Sequence, residues 1–288
     1  MFDGWSDLYR FKEKLGVLQD VKPYGLKIVD SKKEIFKNKL KEFPDYTNEI
    51  LGCVSEAGRR TLLKYSKTVV SFEESLLTPT TQQWDALEVA ATRTNLLYRG
   101  TIEDQDIRKD IVIEAKTDSD LLLMLASFKE DDLYQERLAH KAWRGVNQNH
   151  TFNNRLRAIG KSLKIKFKQS VHKKASIITP TYRTSHMMQS IKIYQQQAHK
   201  NKELILIYNG NELIPNEIGE FCRDNDDVTL IKLPPENSVG ACLNIGHNIA
   251  TGDYCFRVDD DIYAPNYILD MMLHLRLYRW AMDMPDKR

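Results

Sequence analysis

The chain lacks the features that mark membrane-spanning, secreted and zinc-stabilised proteins. Its longest apolar runs, such as LLLMLA at 121–126, fall far short of the about 20 residues that a membrane span needs. No hydrophobic stretch follows Met1, so we expect no secretory signal and a cytoplasmic location, with association at a membrane surface left open. The few cysteines have no paired spacing, which predicts reduced thiols and no zinc site: Cys53, Cys222, Cys242 and Cys255.

The chain also lacks a strong charge of either sign, internal repeats and low-complexity segments. Its formal net charge is +2, from 42 basic and 40 acidic residues, which argues against a nucleic-acid-binding protein. With 288 residues, 42% of them hydrophobic, it can fill two ordinary cores. A break in pattern near 161–174 predicts that these cores belong to two domains.

One short apolar run, DYCFRVDDD at 253–261, ends in three carboxylates: Asp259, Asp260 and Asp261. Neighbouring ionised carboxylates repel one another and are costly to desolvate, so something must offset the charge of a cluster at a strand end. A divalent cation with phosphate oxygens would do so, and Mg²⁺ or Mn²⁺ suits all-oxygen ligands. The alternative is a solvated acidic loop.

Strand and helix patterns alternate from Lys174 onward. Apolar, β-branched runs occupy 175–180, 203–208 and 228–233, and helical spacing occupies 187–200 and 239–250, with a further helix through Ile218 and Phe221. Such alternation predicts parallel βαβ crossovers and a sheet covered on both faces. Ligands of these sheets bind where the strands end.

Four strings resemble, in order and spacing, the nucleotide-sugar half of inverting, family-two GT-A glycosyltransferases, above all the spore-maturation and surface-polysaccharide members. They are SIITPTYR at 176–183, ELILIYNGN at 203–211, ENSVGACLNIGHNIATGDY at 236–254 and RVDDDIYAPNYILDMM at 257–272. The resemblance implies an α/β fold: a Rossmann-like GT-A half with a parallel-sheet core, preceded by a smaller GT-B-like α/β domain.

The resemblance implies a site for a nucleotide-diphosphate sugar. The turn of Thr181, Tyr182 and Arg183 would border base and ribose, with Tyr182 stacking and Arg183 meeting a phosphate. Asn209 stands where the family has an acid that binds the base, and an amide can also donate to and accept from a pyrimidine edge. Gly240 and Asn244 match the helix start beside the donor, although both residues could be purely structural.

The family's Asp-x-Asp pattern places Asp259 on the ribose side of the donor and Asp261 on the metal, and Asp259 also counts among the predicted metal ligands. Asp260 then supports donor binding as the middle residue. A divalent ion on the two phosphates would stabilise the leaving nucleoside diphosphate. The family's catalytic base and acceptor half normally follow this point. We therefore expect a chain truncated before the acceptor half, with no catalytic residue assigned, since Asp283 and Asp286 lie in a tail.

The segments at 67–72, 80–100 and 150–160 resemble the carboxyl-terminal half of a spore-protein-type GT-B glycosyltransferase. That family's Arg pair, ribose-binding Glu and phosphate-side Gly correspond here to Gln82 with Gln83, Ala86 and Ala91. The resemblance thus implies a degenerate domain over 1–160. Glu88 lies about 200° around the helix from position 86 and cannot replace the lost Glu. His150 is predicted to mark a helix boundary.

A basic stretch joins the two predicted domains. From Arg155 to Lys202 there are twelve Lys or Arg and no Asp or Glu. We assign 161–173 as a basic linker and 174–288 as the GT-A donor-binding half. A solvated connector is one reading, and a contact with a membrane surface or a protein partner is another. Nucleic acid is disfavoured because aromatic residues for stacking on bases are sparse.

These patterns predict a metal-dependent, inverting glycosyltransferase of the hexosyltransferase type. Its donor would be a nucleotide-diphosphate sugar, and its acceptor a glycan or a cell-surface or spore polymer, as in polysaccharide biosynthesis. The alternative, from another class, is a non-catalytic nucleotide-sugar-binding or scaffold module derived from such an enzyme.

Overall fold

The computed structural model describes residues 16–30, 45, 49–53, 55–72, 79–165, 173–259 and 261–282. The chain forms two compact units, Met1–Ile165 and Lys166–Arg288. The first unit is therefore the larger, whereas the sequence led us to expect a smaller first domain. The predicted linker begins inside a helix that ends at Ser162, and its residues 166–172 lie outside the described ones. The domain limits stay predictions.

The first unit is an α/β unit with parallel strand pairs. Its strands are β1 (Ile28–Asp30), β2 (Ile50–Cys53), β3 (Thr68–Phe72), β4 (Asn95–Arg99) and β5 (Val112–Ala115). Strand β1 pairs with β2, and β4 lies between β3 and β5. The apolar patterns GLKIVDS at 25–31 and KTVVSFE at 67–73 predict strands, and both strands are confirmed. The amphipathic pattern KEIFKNKLKEF at 33–43 predicts a helix, but this segment lies outside the described residues.

Six α-helices of the described residues accompany these strands, after a helical segment at 16–21 and a 3-10 turn at Lys22–Tyr24. They are α1 (Glu56–Tyr65), α2 (Pro79–Ala91), α3 (Gln105–Asp110), α4 (Asp118–Glu130), α5 (Asp132–Asn149) and α6 (Phe152–Ser162). The helical pattern over 118–148 is compatible with one long helix or two shorter ones, and the structure has two. Asp131 separates them because it ends α4 and its carboxylate accepts from the Tyr134 N–H of α5 at 2.8 Å. His150 ends α5, as predicted.

The second unit is built on a four-stranded parallel sheet in the order β8-β7-β6-β9. Its strands are β6 (Ala175–Thr181), β7 (Lys202–Tyr208), β8 (Val228–Lys232) and β9 (Tyr254–Arg257), and its helices are α7 (Thr184–Gln196), α8 (Asn216–Asp224), α9 (Val239–Ile249) and α10 (Tyr267–Met282). The predicted alternation of strand and helix is confirmed. The helix predicted over 187–200 begins earlier, at Thr184, and also ends earlier. It ends at Gln196 because Gln197 turns to extended backbone and its side chain bonds to residues 264 and 268.

Alternating side chains of the second sheet pack on opposite faces. Ile177 and Leu204 join a core with Met187 of α7 and Ile218 of α8, whereas Ile178 joins a separate cluster. That separate cluster contains Ile205, Ile207 and Cys242 of α9. The sheet is thus covered on both faces, as predicted. Strands β6, β7 and β8 follow one another in one direction across the sheet, whereas β9 lies on the opposite side of β6. Because parallel crossovers are right-handed, the helix that connects β8 to β9, α9, must cover the other face of the sheet.

Close packing of α9 on the sheet depends on Gly246. A Cβ at this position would lie 2.6 Å from Ile178 Cγ2 and 2.9 Å from Ile207 Cδ1. A side chain larger than hydrogen would therefore push the helix away from the strands. Among the helices of the described residues, we find none with the length and apolar character that a bilayer crossing requires.

Candidate functional site

The candidate site lies at the carboxyl ends of the strands in the second unit. The chain runs from β6 through β7 to β8 on one side, and then returns to place β9 on the other side of β6. Parallel α/β sheets bind ligands at the carboxyl ends beside such a reversal, where the flanking loops separate. Here the reversal lies between β6 and β9, so the segments after these two strands flank it.

The turn after β6 brings a guanidinium onto an aromatic ring. The Arg183 Nε–H and Nη2–H groups donate to the Tyr182 hydroxyl at 2.9 and 2.6 Å, and Arg183 Cζ lies 4.9 Å from the ring centroid. Both side chains are exposed. The buried Thr181 fixes the turn, because its Oγ1 accepts from the Arg183 N–H at 3.2 Å. The predicted ring and cation are thus adjacent and accessible to a ligand.

The turn after β7 is held by the neighbouring strands. The Asn209 N–H donates to the Thr181 carbonyl oxygen at 3.1 Å, and Asn209 Nδ2 donates to the Asn237 carbonyl oxygen at 2.9 Å. Because a backbone carbonyl can only accept, the amide orientation of Asn209 is fixed. The Asn209 Oδ1 then has no hydrogen bond from the described residues, and it is available as an acceptor.

Gly210 allows this turn to approach β6, and the sequence reasoning did not single it out. A Cβ at Gly210 would lie 2.2 Å from the Tyr182 carbonyl oxygen and 2.5 Å from the Tyr208 hydroxyl. The fully buried Tyr208 in turn accepts from the Glu212 N–H at 2.9 Å and donates to the Glu212 carbonyl oxygen at 3.1 Å. The Asn-Gly-Asn string at 209–211 indicates a turn, but only the structure shows that this turn approaches the backbone after β6.

Val258 and Asp259 follow β9. The Arg257 Nε–H donates to Asp259 Oδ1 at 2.8 Å, and this hydrogen bond raises the pKa of the Arg257 guanidinium. The Asp259 N–H donates to the Tyr263 hydroxyl at 3.2 Å. The apolar run that contains β9 is buried only at alternate positions: Phe256 and Val258 are buried, whereas Cys255 and Arg257 are exposed. Strand β9 has β6 as its one partner strand among the described residues.

Asp261 is exposed, and its carboxylate has no hydrogen bond or ion pair with the described residues. Asp260 lies outside the described residues. The described part of the chain contains no group of three His, Cys, Asp or Glu side chains placed to hold a metal ion. Mg²⁺ in nucleotide enzymes commonly uses only one or two carboxylates together with substrate phosphates. The hard oxygen donors of Asp259 and Asp261 fit that mode of binding.

The loop that follows the acidic run is anchored to the end of α7. The buried Gln197 donates from Nε2 to the Ala264 carbonyl oxygen at 3.1 Å, and its Oε1 accepts from the Ile268 N–H at 3.0 Å. The Ala198 N–H donates to the Pro265 carbonyl oxygen at 2.8 Å. These bonds fix the path of the chain between Asp261 and α10. No sequence pattern indicated this role for Gln197, because the contact joins distant segments.

Gly240 and Asn244 both lie on α9 and are exposed. The helix is capped by Ser238, whose Oγ accepts from the Ala241 N–H at 3.2 Å, so Gly240 is not the residue that starts it. The nearest atom to a Cβ at Gly240 is Ser238 Oγ at 3.8 Å, which is ordinary contact. Unlike Gly210, this glycine is not required by the described packing.

The first unit presents different chemistry at the positions suggested by its GT-B resemblance. Ala86 is fully buried in the core, and Glu88 pairs with Arg59 and Arg60 of α1. The first unit has a cavity of about 550 Å³ at a different place, the amino ends of β1 and β3. Its lining includes Tyr24, Lys27, Lys67, Lys129 and Gln135, none of which is a predicted site residue.

Comparison with known proteins connects the second unit to one family. Residues 176–277 match the model of Glycosyl transferase family 2. An uncharacterized glycosyltransferase from Haemophilus influenzae is 35% identical over 104 residues, which are 35% of this chain and 42% of that protein. The chain thus spans less than half the length of this curated relative.

Solved structures with some similarity include a fragment of TarS from S. aureus, also solved in complex with UDP. The fragment is 19% identical, with a TM-score of 0.34, over 37% of this chain and 33% of that chain. For the UDP complex the identity is 19% and the TM-score 0.32, over the same shares of 37% and 33%. The mannosyltransferase PcManGT from Pyrobaculum calidifontis, in complex with GDP-Man and Mn²⁺, is 18% identical, with a TM-score of 0.33, over 42% of this chain and 38% of that chain.

The family match covers the segment that carries β6 through most of α10 and all three turns of the candidate site. Together with the parallel sheet and its reversal beside β6, it identifies residues 176–277 as a family 2 glycosyltransferase domain.

Proposed function

We propose that this protein binds a nucleotide-diphosphate sugar with a divalent cation and transfers the sugar, with inversion, to an acceptor hydroxyl. The observation that carries the proposal is the reversal between β6 and β9. Residues from three turns lie at the carboxyl end of the sheet in this family 2 domain: Tyr182 and Arg183 after β6, Asn209 after β7, and Asp259 and Asp261 after β9.

At this end of the sheet, Arg183 supplies a positively charged side chain. Its guanidinium is exposed, and the hydroxyl and ring of Tyr182 hold it in place. A planar guanidinium can donate two parallel hydrogen bonds to a phosphate. Tyr182 would supply a face for the base or ribose, and Thr181 holds the turn that carries both side chains.

Asn209 would contact the base through Oδ1, since its Nδ2 is engaged with Asn237. An acceptor at this place favours bases that present a ring N–H, such as uracil or guanine, over cytosine, whose ring nitrogen accepts. Gly240 and Asn244 would border the donor from α9, where both are exposed.

Asp259 and Asp261 would hold Mg²⁺ or Mn²⁺, and Asp260 would support the donor between them. When bound, the ion neutralises charge that develops on the departing diphosphate oxygen. Arg257 restrains Asp259 through its 2.8 Å hydrogen bond, so one carboxylate is oriented before the donor arrives. The exposed Asp261 is the more accessible ligand.

The acceptor hydroxyl would attack the anomeric carbon in line with the departing diphosphate. For the acceptor we propose a glycan or surface polymer, and for the sugar a hexose, both on the resemblance of 174–288 to polysaccharide-forming members of the family. The residue that accepts the hydroxyl proton is not assigned among the described residues.

For the first unit we propose a GT-B-like domain without donor-binding groups. Ala86, at the ribose-binding position, is fully buried in the core and offers no hydrogen-bonding side chain. Glu88 is engaged by Arg59 and Arg60 and turns toward α1. The proposal therefore implies one nucleotide-sugar site per chain.

The test is calorimetry of the whole chain with UDP-sugars and GDP-sugars, with Mn²⁺ and with EDTA. We expect one site per chain, saturable binding with Mn²⁺, and none with EDTA. Asp261→Asn should weaken binding at least about tenfold, because even the residues that only orient metal ligands contribute 10- to 100-fold to affinity. Asp226→Asn, an exposed acid in the turn before β8, is the matched control.

Equal affinity with EDTA would remove the metal from the proposal, and a second site would contradict the account of the first unit. Release of free nucleotide or glycosylated product should accompany binding. Tight, metal-dependent binding with neither product would favour the alternative of a non-catalytic module derived from a glycosyltransferase.

A further inference from the structure

Helix α6 and the turn that follows it expose a row of large apolar side chains. Phe152, Leu156, Ile159 and Leu163 are between 53% and 74% exposed. At about 100° per residue these four positions fall within roughly 60° of one another around the helix axis. We call these residues the apolar stripe. Contiguous exposed apolar surface of this kind marks an interaction site more often than scattered single residues do.

The opposite side of the same helix is basic. Arg157 and Lys161 are exposed, and both lie more than about 90° from the centre of the apolar stripe. Lys164 follows in the exposed turn after the helix. Helix α6 itself contains no acid, whereas Lys173 and Lys174, farther along the basic stretch, pair with Asp253 and Glu203. The helix therefore combines an aliphatic face with a basic face that carries no acid of its own.

The helix is secured by its own ends. Thr151 caps it, with Oγ1 accepting from the Asn154 N–H at 3.3 Å. At the other end the Leu163 N–H donates to the Ile159 carbonyl oxygen at 2.9 Å, and the Ile165 N–H to the Gly160 carbonyl oxygen at 2.8 Å. The shape that presents the stripe thus exists before any partner is bound.

We propose that the apolar stripe docks on the surface of an anionic lipid bilayer, with α6 lying in the plane of the interface. Helices with Phe and Leu on one face and Lys or Arg on the other bind such surfaces by burying the apolar face among the lipids. Each Lys or Arg near an anionic leaflet adds to that attraction.

Charge decides between the lipid surface and two other occupants. A second copy of the chain would bring another acid-free basic helix against the first, and like charges would repel. Nucleic acid would attract the cations but would leave the aliphatic side chains Leu156, Ile159 and Leu163 without an apolar partner. An anionic bilayer offers an apolar environment to the aliphatic face and negative charge to the basic face. The inference does not depend on the proposed transfer activity.

The test is co-sedimentation of the whole chain with vesicles of phosphatidylcholine alone and of phosphatidylcholine mixed with phosphatidylglycerol. We expect binding to the mixed vesicles only, falling as salt is raised. The double variant Leu156→Gln with Ile159→Gln should lose at least about tenfold in partitioning, since two aliphatic side chains no longer leave water. Arg157→Gln with Lys161→Gln should lose about fivefold per removed charge.

Leu123→Gln is the matched control, because Leu123 is a leucine at least as exposed as Leu156 on a different helix, α4, of the same unit. It should bind like the wild type. All substituted residues are exposed, so circular dichroism and melting should confirm that each variant folds.

The proposal is overturned if the wild type ignores the mixed vesicles or if the double glutamine variant binds them like the wild type. It is also overturned if sedimentation velocity shows a dimer that this double variant abolishes, which would place a second copy on the stripe.

Discussion

The polar groups at the two ends of the sheet in the second unit differ in how fully they are hydrogen-bonded. At the amino end, Glu203 accepts from Lys174 Nζ at 2.6 Å, from Ser176 Oγ at 2.6 Å, and from the Thr251 N–H and Oγ1 at 2.7 Å each. Burial alone would raise the pKa of this carboxyl, but the hydrogen bonds from Lys174, Ser176 and Thr251 lower it to about 2. Four donors thus saturate one carboxylate.

A second acid completes the amino end. Asp253 accepts from Lys173 Nζ at 2.5 Å and from the Lys174 N–H at 2.8 Å, while the Gly252 N–H donates to Ser176 Oγ at 2.9 Å. Only glycine fits at 252, because a Cβ would lie 2.8 Å from the Ser176 nitrogen. The network ties the starts of β6, β7 and β9 together.

At the carboxyl end, polar groups have hydrogen-bonding capacity that the described residues do not use. The Asn209 Oδ1 and the Asp261 carboxylate have no hydrogen bond from the described residues, and Tyr182 and Arg183 are paired with each other at an exposed position. Satisfied buried networks fix a structure, whereas convergent groups with spare capacity can bind a ligand. The contrast separates residues that hold the sheet from residues that we expect to hold the donor.

The largest expected effect is on the acid stability of the second unit. The pKa of Glu203 is about 2 in the folded state and 4.5 for an unperturbed glutamate side chain, so the unfolded state binds more protons between these values. The stabilisation is complete above about pH 5 and is lost as the pH falls toward 2. At about 1.4 kcal/mol per pKa unit, Glu203 contributes about 3 kcal/mol of this pH dependence.

Because other carboxylates also titrate in this window, the measured quantity is the difference between the wild type and Glu203→Gln. Urea unfolding between pH 2 and pH 7 should show a smaller loss of stability on acidification in the variant. Nucleotide binding at pH 7 should be unchanged in whatever fraction is folded. Identical pH profiles would contradict the account of the amino end.

The second effect concerns Gly210 at the carboxyl end. Gly210→Ala should lower the free energy of unfolding by about 1–3 kcal/mol, since its Cβ would overlap the Tyr182 carbonyl oxygen and the Tyr208 ring. Donor binding should fall with it because the turn carrying Asn209 must move. Gly219→Ala is the control: no atom lies within 4 Å of its Cβ, so it should stabilise α8 by up to about 1 kcal/mol. Equal stability of Gly210→Ala and the wild type would refute the close approach.

A smaller effect is expected from Asn209→Ala. The variant loses the acceptor proposed for the base, and a neutral hydrogen bond contributes about 0.5–1.5 kcal/mol, or up to about tenfold in affinity. The preference for UDP over CDP should shrink with it. The exposed Asn211→Ala, two residues along the same turn, should bind like the wild type. A preference for UDP that survives Asn209→Ala would place the base elsewhere.

The sequence predicted the order of strands and helices in the second unit because each βα repeat carries a local signal. The apolar runs at 175–180, 203–208 and 228–233 all form strands, and the acidic run follows a strand end as expected. The edge position of β9 was missed, since a four-residue run does not reveal how many neighbours it has. The anchoring of 264–268 by Gln197 was missed because it joins segments about 70 residues apart.

The site was predictable as a set of segments but not as a set of contacts. The strand pattern places Thr181, Asn209 and Asp259 after neighbouring strands, yet the pairing of Arg183 with Tyr182 and of Arg257 with Asp259 depends on side-chain conformation. Glu203 gave no signal at all. It stands at the start of an apolar run, and its partners Lys174, Ser176 and Thr251 meet it only through tertiary folding.

The smallest effect is expected at Gly240, which tests whether exposure at the carboxyl end means binding. A Cβ there meets nothing closer than Ser238 Oγ at 3.8 Å, and alanine is the better helix former, so Gly240→Ala should leave stability unchanged or raise it by up to about 1 kcal/mol. If the donor borders α9, the added methyl group occupies space that the donor uses, and affinity should fall by a few fold. Paired melting and calorimetry on the variant measure both quantities. A stabilised protein with undiminished affinity would remove Gly240 from the site, and it would show that the donor is held by the turns after β6, β7 and β9 without α9.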